Sequence, residues 1–310
     1  MNAAVISDKL RLKMKQLCLL LMGATGLFAQ NPFLGRWDIT VTTPTATYPD
    51  WMELSQKGGA LAALIQPRSG SAGPATNVQV DGSHLTLTMN GSNWDVTMNG
   101  AQFTGTMKRG DTVQGQLVGV RAPSLKRPMP AAWTTPEPLF NGKDLTGWEP
   151  ITPANNHWIV KDGELVNEAH GSNIKTTRKF EDFKLHIEYN CPDKGNSGVY
   201  LRGRYEVQVE YEPPGTNDKF HSMGAIYSFL APSSELPHKP GQWESYDITL
   251  VGRNVTIVRD GVKTIDNQEI PGVTGGALDS HEAEPGPFYI QGDHTGGLRY
   301  RNITISVPKK

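Results

Sequence analysis

The sequence predicts an all-β protein: a small antiparallel β unit followed by a larger sandwich or jelly roll. Three observations lead there. Asn-Gly and Asp-Gly turn dipeptides recur between segments that alternate apolar and polar residues, the pattern of short antiparallel strands joined by tight hairpins. There are 33 glycines and 22 prolines in 310 residues, well above the ~12 % the two usually supply together. No window of about eleven residues shows the 3.6-residue apolar period of an amphipathic helix.

The first element is a leader. Lys9, Arg11, Lys13 and Lys15 precede an apolar run from Leu17 to Phe28, and Ala29 follows as a small residue at a cleavage point. A basic start, an apolar run of ~12 residues and a small residue make a secretory signal peptide, and the run is too short to span a bilayer. Met14 is an alternative start. Removing residues 1–29 takes away four basic residues and Asp8, so the formal charge of −1 becomes −4. The expected location is therefore periplasmic or secreted. Cys191 is then the one remaining thiol, so an internal disulfide is not expected and stability must come from a core. With no basic excess there is no electrostatic case for a nucleic-acid partner, and no other window is apolar enough for a membrane span. Oligomeric state is not legible.

Residues 30–122 read as a meander. Asp81-Gly82, Asn90-Gly91 and Asn99-Gly100 separate alternating runs such as His84–Met89 and Trp94–Met98. The opening Gly35-Arg36-Trp37 resembles the Gly-x-Trp start of lipocalin-like barrels, so a ligand-binding barrel stands beside the plainer reading of a β accessory domain. Residues 123–138 carry Pro123, Pro128, Pro130, Pro136 and Pro138. Such a stretch favours extended polyproline conformations and reads as a semi-rigid linker.

Residues 139–310 form the second unit. Asp162-Gly163 and Asp260-Gly261 sit between strand-like runs as hairpin signatures, and Phe183–Tyr189 alternates strictly. Many short strands over this length suggest two packed antiparallel sheets. Asn196 to Tyr211 is the richest segment. Read as one strand, its odd positions from Val199 to Tyr211 are mostly apolar, while Tyr200, Arg202, Arg204, Glu206, Gln208 and Glu210 share the other face. Gly203 is a point where the run could bend. Planar donors and acceptors of this kind suit vicinal sugar hydroxyls, although a solvated sheet face is the simpler alternative.

A series of motifs resembles the 3-keto-disaccharide hydrolase family. They are Phe140-Asn141-Gly142-Lys143-Asp144-Leu145-Thr146-Gly147-Trp148, Gly195-Asn196-Ser197-Gly198-Val199-Tyr200-Leu201-Arg202, Tyr205-Glu206-Val207-Gln208-Val209, Gly224-Ala225-Ile226-Tyr227, Lys239-Pro240-Gly241-Gln242-Trp243, and the stretch from Gly286 through Gln291 and His294 to Ile303. Together they cover residues 139–307. The resemblance implies a concanavalin-like jelly roll whose concave sheet holds a sugar, and cleavage of glycosides oxidised to the ketone at C3. A C3 ketone acidifies the C2 proton, so a modest base can start elimination of the C1 substituent, and water addition then completes net hydrolysis. Paired glycosidase carboxylates are not required for that route.

By the same resemblance Glu206, His294 and Glu210 are the expected catalytic residues, and Asn196, Arg202, Gln208, Tyr227, Lys239, Trp243, Gln291 and Arg301 the expected sugar-binding set. Plainer roles compete: a salt bridge from Glu206 to Arg202 or Arg204, a loop role for His294, a core position for Trp243. The Gln242-Trp243-Glu244 and Gln291-Gly292-Asp293-His294 segments depart from the family's usual Glu-Trp-Asn and Gln-Asp-His. A lectin-like carbohydrate-binding protein is the alternative function. No cofactor is specified. Asp218, His221, His281, Glu282, Asp293 and His294 are scattered donors without metal-ligand spacing, which leaves a divalent ion open. Phosphate-cradling and Gly-x-Ser-x-Gly motifs are absent from the sequence.

Overall fold

The alternating segments form antiparallel strands almost throughout. In this computed structural model residues 31–211, 218–237 and 239–309 are described; the expected signal peptide lies outside them. Nine strands make the N-terminal sheet: β1 (Gly35–Thr42), β2 (Thr47–Lys57), β3 (Ala60–Gln66), β4 (Gly73–Pro74), β5 (Thr76–Asp81), β6 (His84–Met89), β7 (Ser92–Asn99), β8 (Gln102–Arg109) and β9 (Thr112–Arg121). Their order is β4-β3-β2-β1-β9-β8-β7-β6-β5. The outermost strands β4 and β5 are neighbours in the chain, and β3 touches β5, so the meander curls almost into a barrel. Its inside is filled. The Trp37 and Phe103 rings lie 4.9 Å apart, with Phe33 6.1 Å from Phe103, and Gly119 leaves the space that Phe103 occupies, since a Cβ there would lie 2.1 Å from the ring.

Residues 123–138 lie along the second unit. β10 (Glu137–Pro138) pairs with β22 (Leu298–Ser306), and Trp133 bridges to Pro308. The eight-stranded sheet of this unit runs β12 (Trp158–Lys161), β13 (Glu164–Asn167), β22, β15 (Phe183–Asn190), β18 (Trp243–Val251), β19 (Asn254–Arg259) and β20 (Val262–Glu269), with β10 beside β22. The five-stranded sheet runs β11 (Trp148–Pro150), β14 (Ile174–Thr176), β21 (Tyr289–Ile290), β16 (Asn196–Leu201) and β17 (Tyr205–Glu210). Apolar residues from both sheets, among them Val199, Val207, Val209, Leu185, Ile248 and Ile305, meet in one core. This is the expected jelly-roll sandwich. Asp162-Gly163 and Asp260-Gly261 take the paired positive φ of type I′ turns (53° and 81°, 48° and 78°), as the hairpin signatures predict.

One reading needs correction. Asn196–Tyr211 is not a single strand but a hairpin. Arg202 and Gly203 adopt φ of 52° and 69° and turn the chain, so β16 pairs back on β17 with Tyr200 opposite Glu206, Gly198 opposite Gln208 and Asn196 opposite Glu210. The even-numbered residues of both strands still share a face.

Phe33–Lys310 is one compact unit, and its two β structures interlock. Trp51 packs edge-on against Phe229 at 5.4 Å, over Gly272, where a Cβ would lie 2.1 Å from Trp51 Nε1. Thr40 hydrogen-bonds Ser280 at 2.9 Å and Arg36 pairs with Glu269 at 2.9 Å. Asp38 is buried at this joint. Burial, then the charge of Glu282 and a hydrogen bond to it, hold its carboxyl far above the usual carboxylate range, against the pull of Arg253 and Arg204.

Candidate active site

The shared face of β16 and β17 is the floor of a 680 Å³ cavity. Strand pairing dictates what the floor presents. Tyr200 and Glu206 are directly opposed, and Tyr289 on β21 pairs with Tyr200 from the other side. The two phenol rings stack at 3.8 Å and 11°. Their hydroxyls donate to Gly275 O and Gly276 O at 2.8 Å each, which anchors segment 275–276 above the floor. A side chain at Gly276 would collide with the Tyr200 hydroxyl, a Cβ lying 2.4 Å away.

Glu206 owes its position to a missing side chain. A Cβ at Gly198 would lie 2.2 Å from Glu206 Oε1, so the glycine leaves the space in which the carboxyl rests. Glu206 is 4 % exposed. Burial pushes its carboxyl up to about 8, opposed by the adjacent Tyr200 hydroxyl and reinforced by the charges of Glu210 and Asp293. Beside it, Gln208 Nε2 donates to Glu210 Oε2 at 2.6 Å. Gln208 Oε1 and Gln291 Oε1 are buried and without a hydrogen-bond partner. Such orphaned acceptors are costly in a core, and both of these belong to residues that line the cavity.

The cavity also holds an acid–imidazole pair. His294 Nδ1 lies 3.0 Å from Asp293 Oδ1. That hydrogen bond raises the imidazole above its ordinary value against partial burial, helped by the charges of Asp293 and Glu210. Burial works to raise Asp293, but hydrogen bonds from His294 and Asn173 and the imidazole charge bring it below the usual range. The loop is tethered to β16: Asn196 N–H donates to Thr295 Oγ1 at 2.7 Å, and Ser197 Oγ donates to Gln291 O at 2.7 Å.

Of the residues singled out in the sequence, Glu206, Glu210, His294, Asn196, Gln208, Tyr227 and Gln291 line one cavity. Four other expected residues lie elsewhere. Arg202 belongs to the hairpin turn and is buried, donating to Tyr205 Oη at 2.8 Å; Tyr205 in turn donates to Glu282 at 2.6 Å. Trp243 is on β18 of the other sheet, with the Arg301 guanidinium 3.9 Å over its ring. Arg301 donates to Glu188 at 2.6 Å. Lys239 pairs with Asp260 at 2.8 Å. The proposed ion pair of Glu206 with Arg202 or Arg204 does not form: Arg204 binds Asp279 at 2.7 Å. Tyr200, Tyr289, Asn173 and Asp293 line the cavity without having been selected as sugar-binding residues. Tyr200 was legible as a member of the polar face, and Tyr289 as two positions before Gln291. Among the described residues, no group of three or more His, Cys, Asp or Glu side chains is arranged to hold a metal ion, and no helix is long and apolar enough to cross a membrane.

Comparison with known proteins bears on this site. The family described as 3-keto-alpha-glucoside-1,2-lyase-like domain matches residues 135–306. A crystal structure of a candidate glycosyl hydrolase from Parabacteroides distasonis ATCC 8503 is 29% identical, covering 58% of this chain and 92% of its own, with a TM-score of 0.46. SCLam, a non-specific endo-beta-1,3(4)-glucanase of family GH16, is 12% identical over 59% of this chain and 94% of its own, TM-score 0.38. The carbohydrate-binding module CBM66 of Bacillus subtilis is 14% identical over 52% and 96%, TM-score 0.35. No curated protein sequence matches the chain.

Proposed function

The chain belongs to the 3-keto-alpha-glucoside-1,2-lyase-like family, a carbohydrate-active family, and from that premise we propose that it is an exported enzyme cleaving the glycosidic bond of 3-keto-glycosides. One observation carries the reading: a buried carboxyl raised to about 8 lies on a cavity floor beside two unpartnered amide oxygens. Ordinary glycoside hydrolysis calls for a carboxylate pair at set separation. A strongly basic carboxylate such as Glu206 suits removal of a carbon-bound proton.

In this reading the Glu206 carboxylate takes the C2 proton, whose acidity comes from the C3 ketone. The C–H electron pair forms the C1=C2 double bond and the C1–O bond breaks. His294, whose hold on a proton is strengthened by Asp293, gives a proton from its imidazolium form to the departing oxygen. Water then adds across the double bond, hydroxyl to C1 and proton to C2, completing net hydrolysis. Gln208 and Gln291 accept from ring hydroxyls. General acid–base steps of this kind are each worth roughly 10²–10⁴-fold.

The test is turnover of 3-keto disaccharides in D₂O. The wild type incorporates deuterium at C2 and releases free sugar, and its kcat/KM rises with pH toward about 8 as Glu206 ionises. Glu206→Gln loses both exchange and release by about 10²-fold or more. Undiminished exchange in that variant removes Glu206 from the mechanism. Saccharide binding without turnover in the wild type supports the lectin-like alternative instead.

A further inference from the structure

The cavity has a wall outside the family segment. Thr47, Tyr48 and Pro49 of β2, and Arg68, Ser69 and Gly70 of the loop after β3, line it together with Glu206. This wall is fixed from several sides. The Gln66 side chain is buried and donates to Pro67 O at 2.8 Å and Gly70 O at 2.7 Å, which shapes the loop. Gly276 N–H donates to Arg68 O at 2.7 Å, so the loop backbone meets the segment that anchors the Tyr200 and Tyr289 hydroxyls. Ser71 Oγ lies 2.7 Å from His221 Nε2, and Ala72 N–H donates to Ser228 Oγ at 3.1 Å. Buried Asp50 accepts the Arg68 backbone N–H.

With its backbone held, the Arg68 side chain remains exposed, its guanidinium 5.0 Å from the Tyr48 ring centroid. Ser69 adds a hydroxyl, and His221 stacked on Tyr227 at 4.6 Å adds an imidazole to the same lining. A guanidinium braced on an aromatic face is a rigid, directional donor. Directional donors and hydroxyls match a ring bearing hydroxyl groups better than an alkyl or bare aromatic group. The 680 Å³ volume falls in the range that encloses a ligand of several rings rather than one.

We propose that Tyr48, Arg68 and Ser69, all outside the family segment, form the subsite that holds the sugar leaving group of a 3-keto disaccharide. The inference rests on the cleavage reading above and adds residues to that site from beyond the family segment. It also gives the N-terminal sheet a role in substrate choice.

The test compares wild type and Arg68→Ala on the 3-keto derivative of a glucose disaccharide and on methyl 3-keto-glucoside. Arg68→Ala keeps the backbone carbonyl bound by Gly276, and its melting temperature is checked against wild type. Loss of a charged hydrogen-bond donor lowers kcat/KM for the disaccharide about tenfold or more, chiefly through KM, while the methyl glycoside changes less than about twofold. Arg68→Lys falls between, since it keeps charge without the fork. Equal losses on both substrates, or none on either, overturn the subsite; an equal loss on phenyl 3-keto-glucoside overturns the sugar assignment. Should the wild type cleave neither substrate, the cleavage reading fails and calorimetry alone decides the subsite. A glucose disaccharide that binds wild type about tenfold more tightly than methyl glucoside, with that margin lost in Arg68→Ala, supports it. Equal binding of the two overturns it.

Discussion

The N-terminal meander encloses an interior and the five-stranded sheet of the sandwich floors a cavity, and the two use these faces in opposite ways. The meander packs Trp37, Phe103, Phe33 and Leu117 into its interior, with Gly119 hollowed to admit an aromatic ring. The five-stranded sheet and the residue after β21 put Glu206, Gln208 and Gln291 along the cavity, each at most 7 % exposed, and leave space above them. In one case a glycine serves packing; in the other, Gly198 gives room to a carboxyl. Burial alone thus says little about role. What sets the second face apart is the open cavity that its buried polar residues line.

That contrast can be broken at three points. Trp37→Ala empties the meander's interior and costs about 3–5 kcal/mol of stability, read as a lowered denaturant midpoint; an unchanged midpoint would mean the interior is not a core. Gly198→Ala drives a methyl into the Glu206 carboxyl. Displacement of a reacting group by about 1 Å costs on the order of 10²-fold in kcat, expected here with KM less affected and an unaltered circular-dichroism spectrum. Full activity would show that Glu206 does not need that space. Trp243→Ala, on the other sheet under Arg301, changes kcat/KM by less than about twofold. A larger loss would return Trp243 to the site.

Much of this was readable in advance. Asp162-Gly163 and Asp260-Gly261 announced their hairpins because few other pairs accept two positive φ values. The even-residue face of 196–210 survived the correction from strand to hairpin because Tyr200 opposite Glu206 keeps the same parity across the turn. The turn was half visible: Gly203 marked where the run could bend, but a non-glycine residue at φ of 52°, as at Arg202, has no sequence signature, and the turn carries both guanidiniums off the cavity face. Trp243 and Arg301 lie in motifs, but a motif does not say which of two sheets its strand joins. The Tyr48–Arg68 wall was also out of reach. It depends on contacts between residues some two hundred positions apart, such as Arg68 O with Gly276 N–H, and those are a property of the folded chain.

Asp38 has a consequence of another kind. Its carboxyl, sunk between the two β structures against Glu282, keeps a proton that the unfolded chain would give up well below neutral pH. The folded chain therefore binds more protons there than the unfolded one. Folding takes up a proton at this joint, and this group's contribution to stability is full in acid and declines as pH rises above the ordinary carboxylate range. A carboxyl at the seam between the N-terminal sheet and the sandwich that holds Glu206 thus ties the stability of the whole fold to the acidity of the surrounding medium.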